Sequence, residues 1–205
     1  MTFSDQPHSI APDTAAGGTA LLVIDMISCW DFPDADRLLP GARRLTAPIA
    51  ALRARCRKAG VPVVYANDNR GRWRSDFPAL VGLSIESGGT GATITQALEP
   101  ARDDYFELKP SQSAFFGTPL ELLLRHLQVQ RLAITGVASD QCVLATVLEA
   151  RMRSLEVVVP RDCVATQSSA RNRAVLRQLE EVHRVPTTPG SRIRLVRKPS
   201  PCPSP

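Results

Sequence analysis

The stretch Leu132-Ala133-Ile134-Thr135-Gly136-Val137-Ala138-Ser139-Asp140-Gln141-Cys142-Val143 constrains this chain more than any other. Its apolar run reads as a buried strand, Gly136 as a tight turn, and Cys142 as a residue in the first turn of the helix that follows. A strand feeding a helix this directly is a unit of an alternating α/β fold. The placement also has a chemical meaning. The first turn of a helix carries unpaired N–H groups and partial positive charge, which favour a thiolate over a thiol. The same N–H groups can hold a developing oxyanion. Taken alone, Cys142 reads equally well as a buried structural thiol.

Two further strand ends add to it. Leu21-Leu22-Val23-Ile24 is a short buried strand with Asp25 at its carboxyl end. Ligands of open α/β sheets bind at that end. Asp104-Tyr105-Phe106-Glu107-Leu108-Lys109-Pro110 alternates as a strand and stops at a lysine before a proline. Lysine is rare here: Lys58, Lys109 and Lys198 stand among 25 basic residues. Singly, Asp25 could cap a turn and Lys109 could be a solvated charge. Together, an acid, a lysine and a cysteine at three strand ends make a base, an electrostatic partner and a nucleophile.

In these motifs the chain resembles the isochorismatase-like cysteine hydrolases, relatives of nicotinamidases and N-carbamoylsarcosine amidohydrolase. The motifs are Leu22-Val23-Ile24-Asp25-Met26, Lys109-Pro110 with Ser113-Ala114-Phe115, and Gly136 to Val143, in family order. The resemblance covers about residues 19–188. It implies a catalytic triad of Asp25, Lys109 and Cys142. It further implies a cis peptide between Val137 and Ala138, and an oxyanion hole formed by the N–H groups of Ala138 and Cys142. The reaction implied is cleavage of an amide or carbamoyl C–N bond of a small molecule through a thioester. The alternatives are an isochorismatase-type ester or vinyl-ether hydrolase, which manages without the cysteine, and a non-catalytic binding protein of the same fold. Relatives are commonly oligomers, so a homodimer or homotetramer is expected.

Nicotinamidases hold a divalent ion through an Asp and histidines near strand two. Asp68 stands near that place, but Arg70 follows two residues on, and the histidines are His8, His126 and His183. Imidazole is the usual ligand of transition metals, so neither a metal nor another cofactor is expected. Near relatives commonly carry an Asn and an Asp where Ser28 and Cys29 stand, and often a His where Gln112 stands. These departures bear on substrate identity more than on reaction type. From loop position and chemistry, the expected pocket walls are Trp30, Phe32, Asn67, Trp73, Gln112 and Phe116.

Alternating strand and helix patterns predict a doubly wound three-layer α/β/α sandwich with a mostly parallel sheet of five or six strands. Strands are expected at 20–25, 62–66, 105–108, 131–135 and 156–159, with another near 183–186. Helices are expected at 43–59, 92–98, from Thr118-Pro119-Leu120-Glu121 to about Leu127, from Cys142 to Arg153, and at 168–182. Thr118 to Glu121 has the form of a capping box with proline first in the helix. Residues 67–91 read as a long loop. Its Gly88-Gly89-Thr90-Gly91 lacks phosphate-loop spacing. Its apolar load, with Trp73, Phe77, Leu80, Val81, Leu83 and Ile85, points to burial against a second subunit.

The rest sets limits. The 205 residues, 43% hydrophobic, suit one domain at 19–188 between an N-terminal tail, 1–18, and a Pro/Ser/Arg-rich tail, 189–205. There is no apolar run long enough to span a membrane and no signal-peptide pattern. Five irregularly spaced cysteines without a C-x-x-C pair suit a reduced cytoplasm. The net charge of +5 is spread along the chain without aromatic–basic interleaving, so a small-molecule substrate is expected and nucleic acid is not.

Overall fold

The first strand, β1 (Gly18–Ile24), is buried along its whole length, as its unbroken apolar run requires. It lies between β2 (Val63–Asp68) and β4 (Val129–Val137), parallel to both. In the computed structural model, which describes residues 17–69 and 76–197, the sheet order is β3-β2-β1-β4-β5. Here β3 is Tyr105–Lys109 and β5 is Glu156–Val158, and a two-residue β6 (Val164–Ala165) pairs with the end of β4. All the pairings are parallel.

Two apolar layers cover the sheet. On one face, α1 (Ala35–Lys58), α2 (Phe77–Glu86) and α3 (Gly89–Ala97) pack against Leu21, Val23, Val63 and Tyr65. On the other, α4 (Leu120–His126), α5 (Leu144–Met152) and α6 (Ser169–Glu181) pack against Ala20, Leu22, Ile24 and Val64. This is the expected doubly wound α/β/α sandwich, with six strands. The winding reverses between β1 and β4, so a crevice opens at their carboxyl ends.

Several elements differ from expectation, each for a physical reason. The first helix begins eight residues earlier than expected, at Ala35, and contains Pro40 and Pro48. Its buried stripe of Leu38, Ala42, Leu45, Ile49, Leu52 and Cys56 outweighs the two lost backbone bonds. The expected loop at 67–91 holds α2 and the start of α3. The Asp76 side chain caps α2 by accepting the Ala79 N–H at 2.7 Å, and Pro78 sits in its first turn. Phe77 and Leu80 are buried within this chain, while Leu83 of the same helix stays 48% exposed. Gly91 is a packing glycine: a Cβ there would lie 2.5 Å from Trp30 Cδ1.

Thr118 accepts the Leu120 N–H at 3.3 Å from one residue before the cap, Pro119, and Glu121 turns to Arg125 and Arg153, so the expected capping box does not close. The strand expected near 183–186 does not form. Pro186 contributes a carbonyl to the Val159 N–H, and proline has no N–H to continue a ladder. The last residues described pack on the domain. Thr19 N–H donates to Val196 O at 2.8 Å, and Arg55 donates to Ile193 O at 2.9 Å. The segment from Pro189 to Arg197 is therefore held on the core. Among the described residues, no helix is long and apolar enough to cross a membrane.

Candidate active site

Asp25, Lys109 and Cys142 are brought together by three different strand ends. Asp25 follows β1 in the left-handed region, φ 52°. Lys109 closes β3, and its register partner is Asp68 at the end of β2. Cys142 lies in a π-helical turn, Ser139–Val143, between β4 and α5. Gly136 makes the approach of β4 to β1 possible. At φ 111° it presses against the end of β1, where a Cβ would sit 2.0 Å from Ile24 O. The Val137–Ala138 peptide that follows is cis.

Lysine is the hub of the three. Lys109 Nζ lies 2.9 Å from Asp25 Oδ2 and donates to Cys142 Sγ at 3.5 Å and to Ser111 O at 3.2 Å. Its side chain is 1% exposed. Burial works against its charge. The Asp25 carboxylate, then Cys142, outweigh burial and hold its pKa above the usual lysine value. The other oxygen of Asp25 accepts the Asp68 N–H at 2.8 Å, which fixes the carboxylate.

The cysteine is not a resting thiolate, contrary to what a helix N-terminus and a nearby lysine led us to expect. Burial first, then the Asp25 charge and hydrogen bond, push its pKa up to about 12, against a smaller downward pull from Lys109. The α-helix begins only at Leu144, after the π turn. The pair is a neutral thiol facing a carboxylate.

The turn is held from both flanks. Thr146, fully buried, donates to Cys142 O at 2.7 Å and accepts the Ala114 N–H at 3.0 Å. This ties the cysteine turn to the loop that follows Lys109. On the other side Asp140 accepts from Thr166 at 2.5 Å and pairs with Arg171 of α6.

Above these groups lies a cavity of about 520 Å³. Asp25, Ala138 and Cys142 form part of its lining, with Ile27, Ser28, Asp31, Phe32, Pro33, Leu38, Asn67, Asp68, Leu80, Val137 and Gln141. Of the expected walls, Phe32 and Asn67 are in this lining. Trp30 is not: it is buried in the core, beside Phe32 at a ring distance of 5.9 Å. Gln112 and Phe116 are also outside the lining and face solvent, because the Ala114–Thr146 bond draws their loop onto α5. Trp73 and Arg70 lie outside the described residues. Sequence reasoning missed Leu38 and Leu80, which reach the cavity from α1 and α2. Their helices were expected too short or not at all. It also missed Asp31, although the loop after β1 is a natural place to look.

Among the described residues, the donors at the cavity do not form a set for a divalent ion. His126 closes α4 and His183 follows α6, and neither lines the cavity. Asp25 is committed to Lys109 and to the Asp68 N–H. Among the described residues no cluster of His, Cys, Asp or Glu could hold a metal.

Comparison with known proteins decides the family. The model of the Isochorismatase domain matches residues 19–189. The chain belongs to the isochorismatase family. It is 34% identical over 163 residues to the uncharacterized isochorismatase family protein YaaI of Bacillus subtilis, covering 80% of this chain and 89% of YaaI. It is 27% identical to an N-carbamoylsarcosine amidase of an Arthrobacter species over 71% of this chain, and spans 58% of that protein's length. Among solved structures, the nicotinamidase of Staphylococcus aureus superposes with a TM-score of 0.65 at 20% identity, covering 84% of this chain and 98% of that one. At that identity the likeness is one of fold.

Proposed function

We propose that this isochorismatase-family protein is a cysteine amidohydrolase that cleaves a non-peptide C–N bond of a small amide or carbamoyl compound. The observation that carries the reading is Lys109 Nζ, in reach of both Asp25 and Cys142 beneath an open cavity. The N-carbamoylsarcosine amidase among its relatives supports the substrate class.

Asp25 takes the S–H proton as the sulfur attacks the carbonyl carbon, and the carbonyl π pair moves to oxygen. The N–H groups of Ala138 and Cys142 stabilise that oxyanion. When the oxyanion collapses, the C–N bond breaks and Asp25 gives its proton to the leaving nitrogen, which departs as ammonia or an amine. A water then attacks the thioester with Asp25 again as base, and the acid leaves as the sulfur regains a proton. Lys109 fixes Asp25 and offsets negative charge as the sulfur ionises. Burial and the Asp25 charge hold the thiol protonated, so the sequence needs a base in contact with the S–H.

The test is ammonia release from a panel of primary amides, carbamoyl compounds and lactams, with intact-mass detection of an acyl group on Cys142. An adduct absent from Cys142→Ala supports the mechanism; turnover without Cys142 overturns it. The assembly is proposed to be a homodimer or homotetramer. Its support is the outer strand β3, where Tyr105 and Phe106 are exposed and Phe106 stacks on Phe77 of α2. A monomer by light scattering at micromolar concentration would refute the assembly.

A further inference from the structure

Basic residues that lie far apart in the sequence meet at the outer strand β5. Arg131 of β4, Arg151 of α5, Arg184 after α6, and Arg192 and Arg194 of the C-terminal segment line one cavity there, of about 390 Å³. Glu156 of β5 is the acid in that lining, and Arg131 takes it up, Nε donating to Oε2 at 2.8 Å. Arg151, Arg184, Arg192 and Arg194 are exposed, and their side chains have no hydrogen bond or ion pair among the described residues. Elsewhere Arg57, Arg125, Arg153 and Arg171 each meet an acid. The backbone beneath the cluster is fixed. Ile193 is buried and its carbonyl accepts from Arg55 at 2.9 Å, with Arg192 and Arg194 on either side of it. Val185 is buried and its N–H donates to Leu179 O at 2.9 Å, which holds the turn at Arg184.

Guanidinium groups gathered without acids repel one another, and a cavity lined by one sign of charge concentrates their field. An anion that brings several charges into the same small volume relieves the repulsion. The guanidinium fork pairs with phosphate oxygens two at a time. We propose that this cavity binds a condensed phosphate, a chain of two or three linked phosphoryl groups, either free or carried by a nucleotide. A single carboxylate or a monophosphate would leave most of the cluster unpaired. The site is separate from the catalytic cavity, and the two share no lining residue. Arg131 is near the start of β4 and Val137 ends it, roughly 20 Å apart at about 3.3 Å per residue. Binding joins α5, the turn after α6 and the C-terminal segment, since each supplies an arginine, and so stabilises the folded chain.

The test is titration calorimetry of the full-length protein with inorganic triphosphate at low ionic strength, repeated with a nucleoside triphosphate. Arg192→Gln combined with Arg194→Gln takes charge out of the cavity. Arg102→Gln combined with Arg177→Gln takes the same charge from exposed positions outside it. The cavity pair is expected to weaken triphosphate binding roughly 10- to 100-fold, because charge-assisted hydrogen bonds are lost. The outside pair is expected to weaken it by less than about threefold. Triphosphate should raise the melting temperature of the wild type and of the outside pair, and raise that of the cavity pair less. Absence of binding heat and of any melting shift overturns the proposal. Equal weakening by both pairs overturns it too, because the attraction would then be one of net charge. Inorganic and nucleoside triphosphates that bind alike assign recognition to the phosphate chain; binding of the nucleotide without the inorganic anion overturns that assignment. Short duplex DNA that binds more tightly than triphosphate, and loses affinity in the cavity pair, overturns the small-anion proposal in favour of a nucleic-acid surface. Arg151→Gln combined with Arg184→Gln serves if the first pair does not fold by circular dichroism. The measurement needs no turnover, so its outcome is independent of the amidohydrolase reading.

Discussion

Burial pushes both Cys56 and Cys142 up to about 12, in two different settings. Cys56 is on the buried face of α1 among Ile49, Leu52 and Val61, and burial alone raises it, against a small pull from Arg55. Cys142 is raised by burial and by the charge and hydrogen bond of Asp25, while a buried lysine pulls the other way. The two thiols are equally protonated at neutral pH. What separates them is a base and a cation in contact. In the proposed mechanism, reactivity resides in the partner of the S–H and not in a resting thiolate.

The largest expected break in this comparison comes from truncation. Cys142→Ala should lower turnover by at least about 10³-fold without loss of fold, because the nucleophile is gone. Cys56→Ala should keep turnover and cost on the order of 1–2 kcal/mol of stability through the cavity it leaves. Ammonia release and thermal melting followed by circular dichroism read the two effects. Near-normal turnover by Cys142→Ala ends the comparison.

The next pair gives opposite signs at one sulfur. Asp25→Asn should cut turnover by about 10²- to 10⁴-fold. It should nonetheless speed alkylation of Cys142 at pH 8, because a charge that raises the thiol pKa is removed. Lys109→Met should slow both turnover and alkylation, because the downward pull is removed. Alkylation of Cys56 should not change in either variant. If alkylation of Cys142 moves in the same direction in both, the assignment of the two influences is wrong.

Thr146→Val should act more weakly. It keeps the shape but breaks the link between the cysteine turn and the loop after Lys109. A fall in kcat of about tenfold with little change in KM is expected, since both hydrogen bonds of one buried hydroxyl are lost. Thr146→Ser should restore most of it. Equal activity of valine and threonine would show that the turn needs no such tie.

The smallest effect on activity, none, is expected for Glu107→Gln. Glu107 sits two residues before Lys109 in β3, yet burial raises its pKa to about 7 from an ordinary 4.5. Below pH 4.5 the folded and unfolded chains are both protonated and Glu107 carries no penalty. Between 4.5 and 7 the unfolded chain ionises first, so stability falls as pH rises. Above 7 the penalty is complete, on the order of 3 kcal/mol. Melting temperatures of Glu107→Gln should therefore decline less between pH 4.5 and 7, and stand several degrees above wild type at pH 8. Parallel curves would show that Glu107 is solvated.

The alternation of strands and helices, the mostly parallel sheet and the strand-end positions of Asp25, Lys109 and Cys142 were legible in the chain. Apolar runs and strand-end residues are local signals, and the winding rule places strand ends on one side. The helix at Phe77–Glu86 was read as loop, although Asp76 as its cap and Pro78 in its first turn are local signals of a helix start. Other features were not legible. The protonation of Cys142 depends on how deeply three strand ends bury one another, and the sequence states the neighbours without the depth. Gln112 and Phe116 were placed by sequence distance from Lys109, whereas a hydrogen bond to Thr146, 32 residues from Ala114, decides where their loop lies. The cavity walls from α1 and α2 likewise exist only once separate segments close on each other. Local backbone preference and apolar pattern act within a few residues. Burial, charge and hydrogen-bond satisfaction act across the fold, and only the tertiary structure fixes them.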